Sequence, residues 1–324
     1  MKKIINCFII LILFLVVSGC KKPNNNPEIK EIELLSDNCF KNGFTFNPAD
    51  KEPQPENRYP LPYDLTYGNP SDSISWIVEQ FGNIYGLADA YAIDGKKVEF
   101  REGSYIIEDP SKKMIINPEF GSLTFELNAS KEYTSPRKSK EAWPHLIMEQ
   151  GFKEQLIVKD IETIKLRMDV TLNQAINQMS EAEYDPSLHT AQYLMYIVLR
   201  SNAAADAGEF MWFGIPIYDA RYKYLPESGM ADAGTSGNTG KFIYQMPQNE
   251  FMTNGLPVGE KVDIDVDLMP YFERALSLAH KNNFLVNTTI DNLYLTNMNI
   301  GFEIPGTFDI SVTLENFSLK AKLK

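Results

Sequence analysis

From about residue 63 to residue 324, apolar side chains recur at a spacing of two, which predicts strands rather than helices. Candidate strands cover 97–101, 113–117, 123–128, 143–150, 160–172, 190–200, 210–218, 241–246, 261–267, 293–302 and 307–320. Alternation also assigns faces, because successive side chains of a strand point to opposite sides of its sheet. In 297–304, Met298, Ile300, Phe302 and Ile304 fall on the side that requires a core, whereas Asn297, Asn299, Gly301 and Glu303 fall on the side that wants water or a ligand. In 160–172, Ile164, Leu166, Met168 and Val170 point inward, and Lys165, Arg167 and Asp169 form the solvated back of a sheet. The stretches 190–199 and 210–218 are apolar on both faces, as expected of mid-sheet strands whose second face lines a groove. Helical spacing is convincing in one place, where Leu268, Phe272, Ala275, Leu276 and Ala279 share a face behind Asp267 as N-cap and Pro270 in the first turn. A second short helix is expected in 172–183. So many strands in roughly 260 residues predict one all-β domain, a sandwich or barrel, without internal repeats.

The first 60 residues have a different texture. Lys2 and Lys3 precede an unbroken apolar run over 8–17 and then Val17-Ser18-Gly19-Cys20. That order reads as a secretory signal and resembles a bacterial lipobox, which implies a signal peptide of residues 1–19 and a lipid anchor on Cys20. The expectation is a membrane-anchored, extracytoplasmic lipoprotein, periplasmic or at the cell surface. Residues 20–60, rich in Pro, Asn and charge, read as a flexible tether with one short ordered piece near 32–46, which leaves 61–324 as the folded domain. Cys39 then remains the only candidate free thiol, so no intramolecular disulfide is expected. The net charge of −12 becomes −14 without Lys2 and Lys3, which argues against nucleic acid as a partner and leaves neutral glycans or peptides open.

Several segments resemble, in the same order, the family 12 glycoside hydrolases. These segments are WPHLIMEQGF (143–152), IETIKLRMDVTL followed by AQYLMYIVLR, GEFMWFG (208–214), VDIDVDLMPYF, and LTNMNIGFEIPGTFDISVTLENFSL. A fainter match is ISWIVEQFGN around Trp76. The resemblance implies a concanavalin-A-like β-jelly-roll sandwich of two antiparallel sheets, with one helix near 268–281. It puts Glu209 at the nucleophile position and, through Gly301-Phe302-Glu303, Glu303 at the acid/base position of a retaining hydrolase of a β-linked, glucan-like polysaccharide. Met211 and Phe213, spaced by two from Glu209, would share its face and line the sugar site, although Phe213 stands where the family usually has tryptophan. Trp76 and Trp143 become candidate stacking platforms, and His145 and Asn299 candidate substrate contacts. Two other readings stay open: a carbohydrate-binding lipoprotein on the same fold without catalysis, and a lipoprotein that serves protein contacts.

No cofactor or metal is expected. DIDVD at 263–267 departs from a calcium loop at Leu268 and Arg274, and His145, His189 and His280 lack ligand spacing. His145 does share a strand face with Glu149, and an acid/base role for that pair is a minor alternative. The stretch 231–240 reads as a mobile Gly-rich loop.

Overall fold

The two-residue periodicity is realised as two sheets packed face to face. The computed structural model describes residues 30–53, 61–67, 73–89, 98–233 and 238–324; the expected signal peptide, Cys20 and part of the expected tether and Gly-rich loop lie outside the described residues. One sheet holds β1 (Glu31–Glu33), β5 (Glu99–Arg101), β6 (Ser104–Glu108), β7 (Lys112–Asn117), β8 (Ser122–Asn128), β10 (Ile161–Asn177), β15 (Lys261–Asp267) and β17 (Phe308–Leu323), in the order β15-β10-β17-β8-β7-β6-β5, with β1 also on β17. The other holds β2 (Phe44–Phe46), β3 (Tyr63–Leu65), β4 (Trp76–Glu79), β9 (His145–Gly151), β11 (Gln192–Ser201), β12 (Phe210–Asp219), β13 (Ser228–Ala231), β14 (Phe242–Gln245) and β16 (Leu293–Glu303), in the order β13-β14-β12-β11-β16-β9-β4-β2-β3. With α1 (Met269–Lys281), this is the sandwich that the alternation predicts and the jelly roll that the resemblance implies. The pairing is antiparallel except at β2–β4 and β12–β14, which are parallel.

The core forms where the inner faces meet. Leu166, Met168 and Val170 of β10 and Leu314 and Leu319 of β17 face Met195, Ile197, Ile300 and Phe302 of the opposite sheet, all buried. Their strand neighbours Lys165 and Arg167 point outward and share Asp265 of β15 as an ionic partner, as expected for a solvated back. The helix closes one side: Phe272 meets Phe213 edge to face at 4.7 Å, and Asp267 accepts the Met269 N–H. The N-cap is Leu268 and not Asp267 as expected; the Asp267 carboxylate stands one residue earlier and still accepts a helix N–H. Residues 172–183 do not form a second helix, because β10 continues to Asn177 against Phe308 of β17 before a turn.

The domain begins earlier than the composition implied. Residues 30–53, read as tether, supply β1 and β2 and bury Leu34, Leu35, Phe40, Phe44 and Phe46. Trp76 is fully buried among them, 5.8 Å from the Phe40 ring, with its indole N–H donated to the Asp37 carbonyl at 2.7 Å. A segment rich in polar residues is thus held by a few large aromatics at the positions that face inward.

Truncating Phe40 to Ala should destabilise the domain by about 3–5 kcal/mol, read as a lower urea midpoint. An unchanged midpoint would return residues 30–53 to a tether.

Candidate functional site

The register of the nine-stranded sheet fixes which side chains can meet on its outer face. Gln245, Gly214, Tyr196, Asn299, Glu149, Ile77, Thr45 and Asp64 are aligned partner to partner across eight strands. Asn299 therefore lies on the outer face, at the middle of this row. Along β12, Phe210 and Trp212 project to the same side, and their rings join an edge-to-face series: Phe210–Trp212 at 5.4 Å and Trp212–Tyr196 at 6.0 Å. The Gln245 side chain lies over Gly214, where a β-carbon would come within 2.4 Å of its Oε1, and its Nε2 donates to the Tyr196 hydroxyl at 2.7 Å. Burial, with the nearby Glu303 charge, holds that hydroxyl well above the usual phenol range.

One carboxylate of this row, Glu149, has a second one diagonal to it. Glu149 of β9 pairs with Ile77 of β4, and Glu79 of β4 pairs with Ile147 of β9, which makes the two acids diagonal neighbours on one face. Diagonal neighbours in an antiparallel pair are separated by about 7–8 Å. Burial raises the pKa of both, and for Glu79 the Glu149 charge adds to the rise while the Asn47 amide opposes it. Asn47 Nδ2 donates to Glu79 Oε1 at 2.5 Å. Among the described residues, Glu149 has neither a hydrogen-bond partner nor an ionic one, although it is half-buried. A partly desolvated acid without a counter-charge holds its proton more readily than a solvated one.

The acids that the family resemblance singled out are not brought together. Ser201 donates its N–H to the Glu209 carbonyl at one end of β11, while Gln192 at the other end pairs with Glu303. The nine steps from Gln192 to Ser201 span about 30 Å of strand, against about 5–5.5 Å for a retaining pair. The faces differ as well. Met211 and Phe213, whose alternation Glu209 shares, are fully buried between the sheets, so they do not line a sugar site. Glu209 itself is 48% exposed and ion-paired with Lys241 at 2.7 Å, as a carboxylate at the end of a hairpin.

Trp76 is equally excluded as a platform, since it belongs to the core. Trp143 lies near the outer face but is already engaged: His145 stacks on it at 5.6 Å, and the Arg137 guanidinium sits 4.7 Å from its ring centre. His145 stands directly opposite Glu303, with Nε2 3.8 Å from Oε2 and Nδ1 3.2 Å from the Phe81 carbonyl. His145 and Glu303 thus form a couple at one end of the outer face, four residues along the strand from Glu149. Among the described residues there is no cluster of His, Cys, Asp and Glu fit to hold a metal ion. The signal for Glu79 and Glu149 was present as single acids at outward positions of WIVE and LIMEQ; what the sequence lacked was the pairing of these strands.

No family model matches the chain, and no curated protein does. Among solved structures, the chain is similar to the family 12 xyloglucanase from Bacillus licheniformis, at 10% identity and a TM-score of 0.40 over 69% of this chain and 97% of that one. It is likewise similar to the endoglucanase Cel12A from Rhodothermus marinus, at 11% identity and a TM-score of 0.38 over 68% and 93%. The xyloglucanase domain of NopAA from Sinorhizobium fredii follows at 10% identity and a TM-score of 0.35 over 69% and 95%. At such identity the likeness concerns the fold alone.

Because folding raises the Glu149 pKa, the folded chain holds that proton more tightly than the unfolded one, and stability falls as pH rises through the carboxylate range. Glu149→Gln should therefore raise the thermal midpoint at pH 7 by about 2 °C or more, with the gain disappearing towards pH 3. A variant equally stable or less stable at pH 7 would contradict a desolvated Glu149.

Proposed function

We propose that the protein is a glycoside hydrolase that takes a neutral, β-linked glycan across the outer face of the nine-stranded sheet, with Glu149 as proton donor and Glu79 as its carboxylate partner. The observation that carries this reading is the Glu79–Glu149 diagonal beside Asn299, Tyr196 and the Phe210–Trp212 rings. Aromatic faces suit the apolar faces of sugar rings, and the amides of Asn299 and Gln245 suit their hydroxyls. Acids with no lysine or arginine in the same transverse row disfavour a polyanionic chain.

In this reading burial keeps a proton on the pair, and unpartnered Glu149 delivers it to the leaving glycosidic oxygen. Glu79, whose anion the Asn47 amide favours, takes a proton from a water on the opposite face of the sugar, and that water attacks the anomeric carbon as the glycosidic bond breaks. A spacing of about 7–8 Å leaves room for the water and inverts the configuration, where the resemblance implied retention. Two acids this close titrate as a unit, so activity is expected on the acidic side of neutrality. As the sequence implies, the chain works as an extracytoplasmic lipoprotein anchored through Cys20, with its ordered domain starting near residue 30.

A second reading, a face that holds a glycan without cutting it, is favoured by the position of Glu209 and Glu303 at opposite ends of the sheet. Reducing-end release from soluble β-glucans and xyloglucan separates the two. Glu149→Gln and Glu79→Gln should each lower release by about 100-fold or more, with Glu209→Gln close to the parent. Binding that survives all three substitutions, without release by the parent, would establish the second reading.

A further inference from the structure

At the end of the sandwich where β12 finishes, a cavity of about 250 Å³ opens between the turn after this strand and the loop that follows Gln248. Leu256 and Pro257 supply its apolar lining, and Tyr218, Tyr222, Lys223 and Asn254 its polar groups. Among the described residues, none of these four side chains has a hydrogen-bond or ionic partner; Lys223 Nζ rests over the Tyr224 ring and the Arg221 guanidinium over the Tyr222 ring, each 5.3 Å from the ring centre, and Tyr222, Lys223 and Asn254 stand exposed at the cavity mouth. The other polar walls are spent. Asp219 is fully engaged by Arg221, Thr190 and Gln192, and Gln248 binds Leu225 and Ile217.

The charge balance follows from this. Asp219 is neutralised by Arg221 at 2.6 Å, so the one uncompensated charge on the cavity is the Lys223 ammonium, in a chain of net charge −12. Four unpaired groups, all able to donate and one of them cationic, call for an acceptor-rich anion. Two phenol rings and an apolar wall call for a ring with a flat hydrophobic face. The volume falls below the roughly 300 Å³ at which drug-sized sites begin, which fits a single ring.

We infer that this cavity is a binding site for one acidic sugar, a pyranose carrying a carboxylate, with Lys223 against the carboxylate and Tyr222 against the ring. The site is separate from the Glu79–Glu149 pair and does not depend on it. It is linked to the outer face through Gln192, which donates to Asp219 at 2.7 Å and stands opposite Glu303. A neutral main chain on the outer face could thus present an acidic branch here.

The test uses the chain from residue 21 onward, which keeps both sheets and the whole core, titrated by NMR with methyl glucuronide, methyl glucoside and inorganic phosphate. The expected result is that glucuronide binds and that glucoside and phosphate each bind about tenfold more weakly or worse. Lys223→Met and Tyr222→Ala should each lose glucuronide binding while Glu149→Gln keeps it. Equal binding of glucoside, equal binding of phosphate, no binding at all, or binding indifferent to both cavity substitutions would overturn the inference. Loss of hydrolysis in Glu149→Gln with glucuronide binding intact would separate this site from the proposed reaction.

Discussion

Successive side chains of a strand leave its sheet on opposite sides, and in a two-layer sandwich only one of those sides can be the core. Every other feature of this protein inherits from that constraint. Once Met211 and Phe213 are committed inward against Phe272 and Tyr244, Trp212 has to face out and Glu209 is carried to the inner alternation at the rim. Once Met148 and Val78 are committed inward, Glu149 and Glu79 have to emerge on the outer face together. The acid pair is thus a consequence of which hydrophobic residues fill the core.

Burying polar groups has a cost, and the structure treats two sets of them differently. Lys112 is fully enclosed, but its ammonium is surrounded by Asp109 at 3.0 Å, Glu132 at 3.2 Å and the Tyr85 carbonyl at 2.6 Å, so the charge is compensated where it stands. That cluster fastens the chain around residues 85, 109 and 132 to the end of β7. Glu149 is the opposite case, a carboxyl whose proton affinity burial raises and which no counter-charge offsets among the described residues.

Alternation also explains why the outer face has a floor as well as a rim. Leu194 and Val198 of β11 point outward yet are buried. The tyrosine between them reaches Gln245, and the same row passes through Asn299 to Glu149. A flat, partly apolar strip edged with amides and acids is what a sugar chain, amphipathic along its length, would need.

The sequence by itself determined the strands of the larger part of the chain, the helix over 269–281, the inward set of each long strand and the polar outward sets of β10 and β16, because these depend on local periodicity, whereas the second helix it suggested in 172–183 is strand and turn. It also held the alternation that turns Glu149 outward, within one strand. It anticipated an ordered piece near 32–46 but left it in the tether, where composition is polar yet three phenylalanines at inward positions suffice to join the core. It mispaired the acids, since short motifs aligned in order carry neither register nor the end of a sheet at which a residue stands. Only the tertiary structure decided that β4 lies beside β9 and that Glu209 and Glu303 lie at opposite ends of β11. Strand pairing is a contact between segments far apart in sequence, and the energy that selects it comes from the complete core rather than from any one segment.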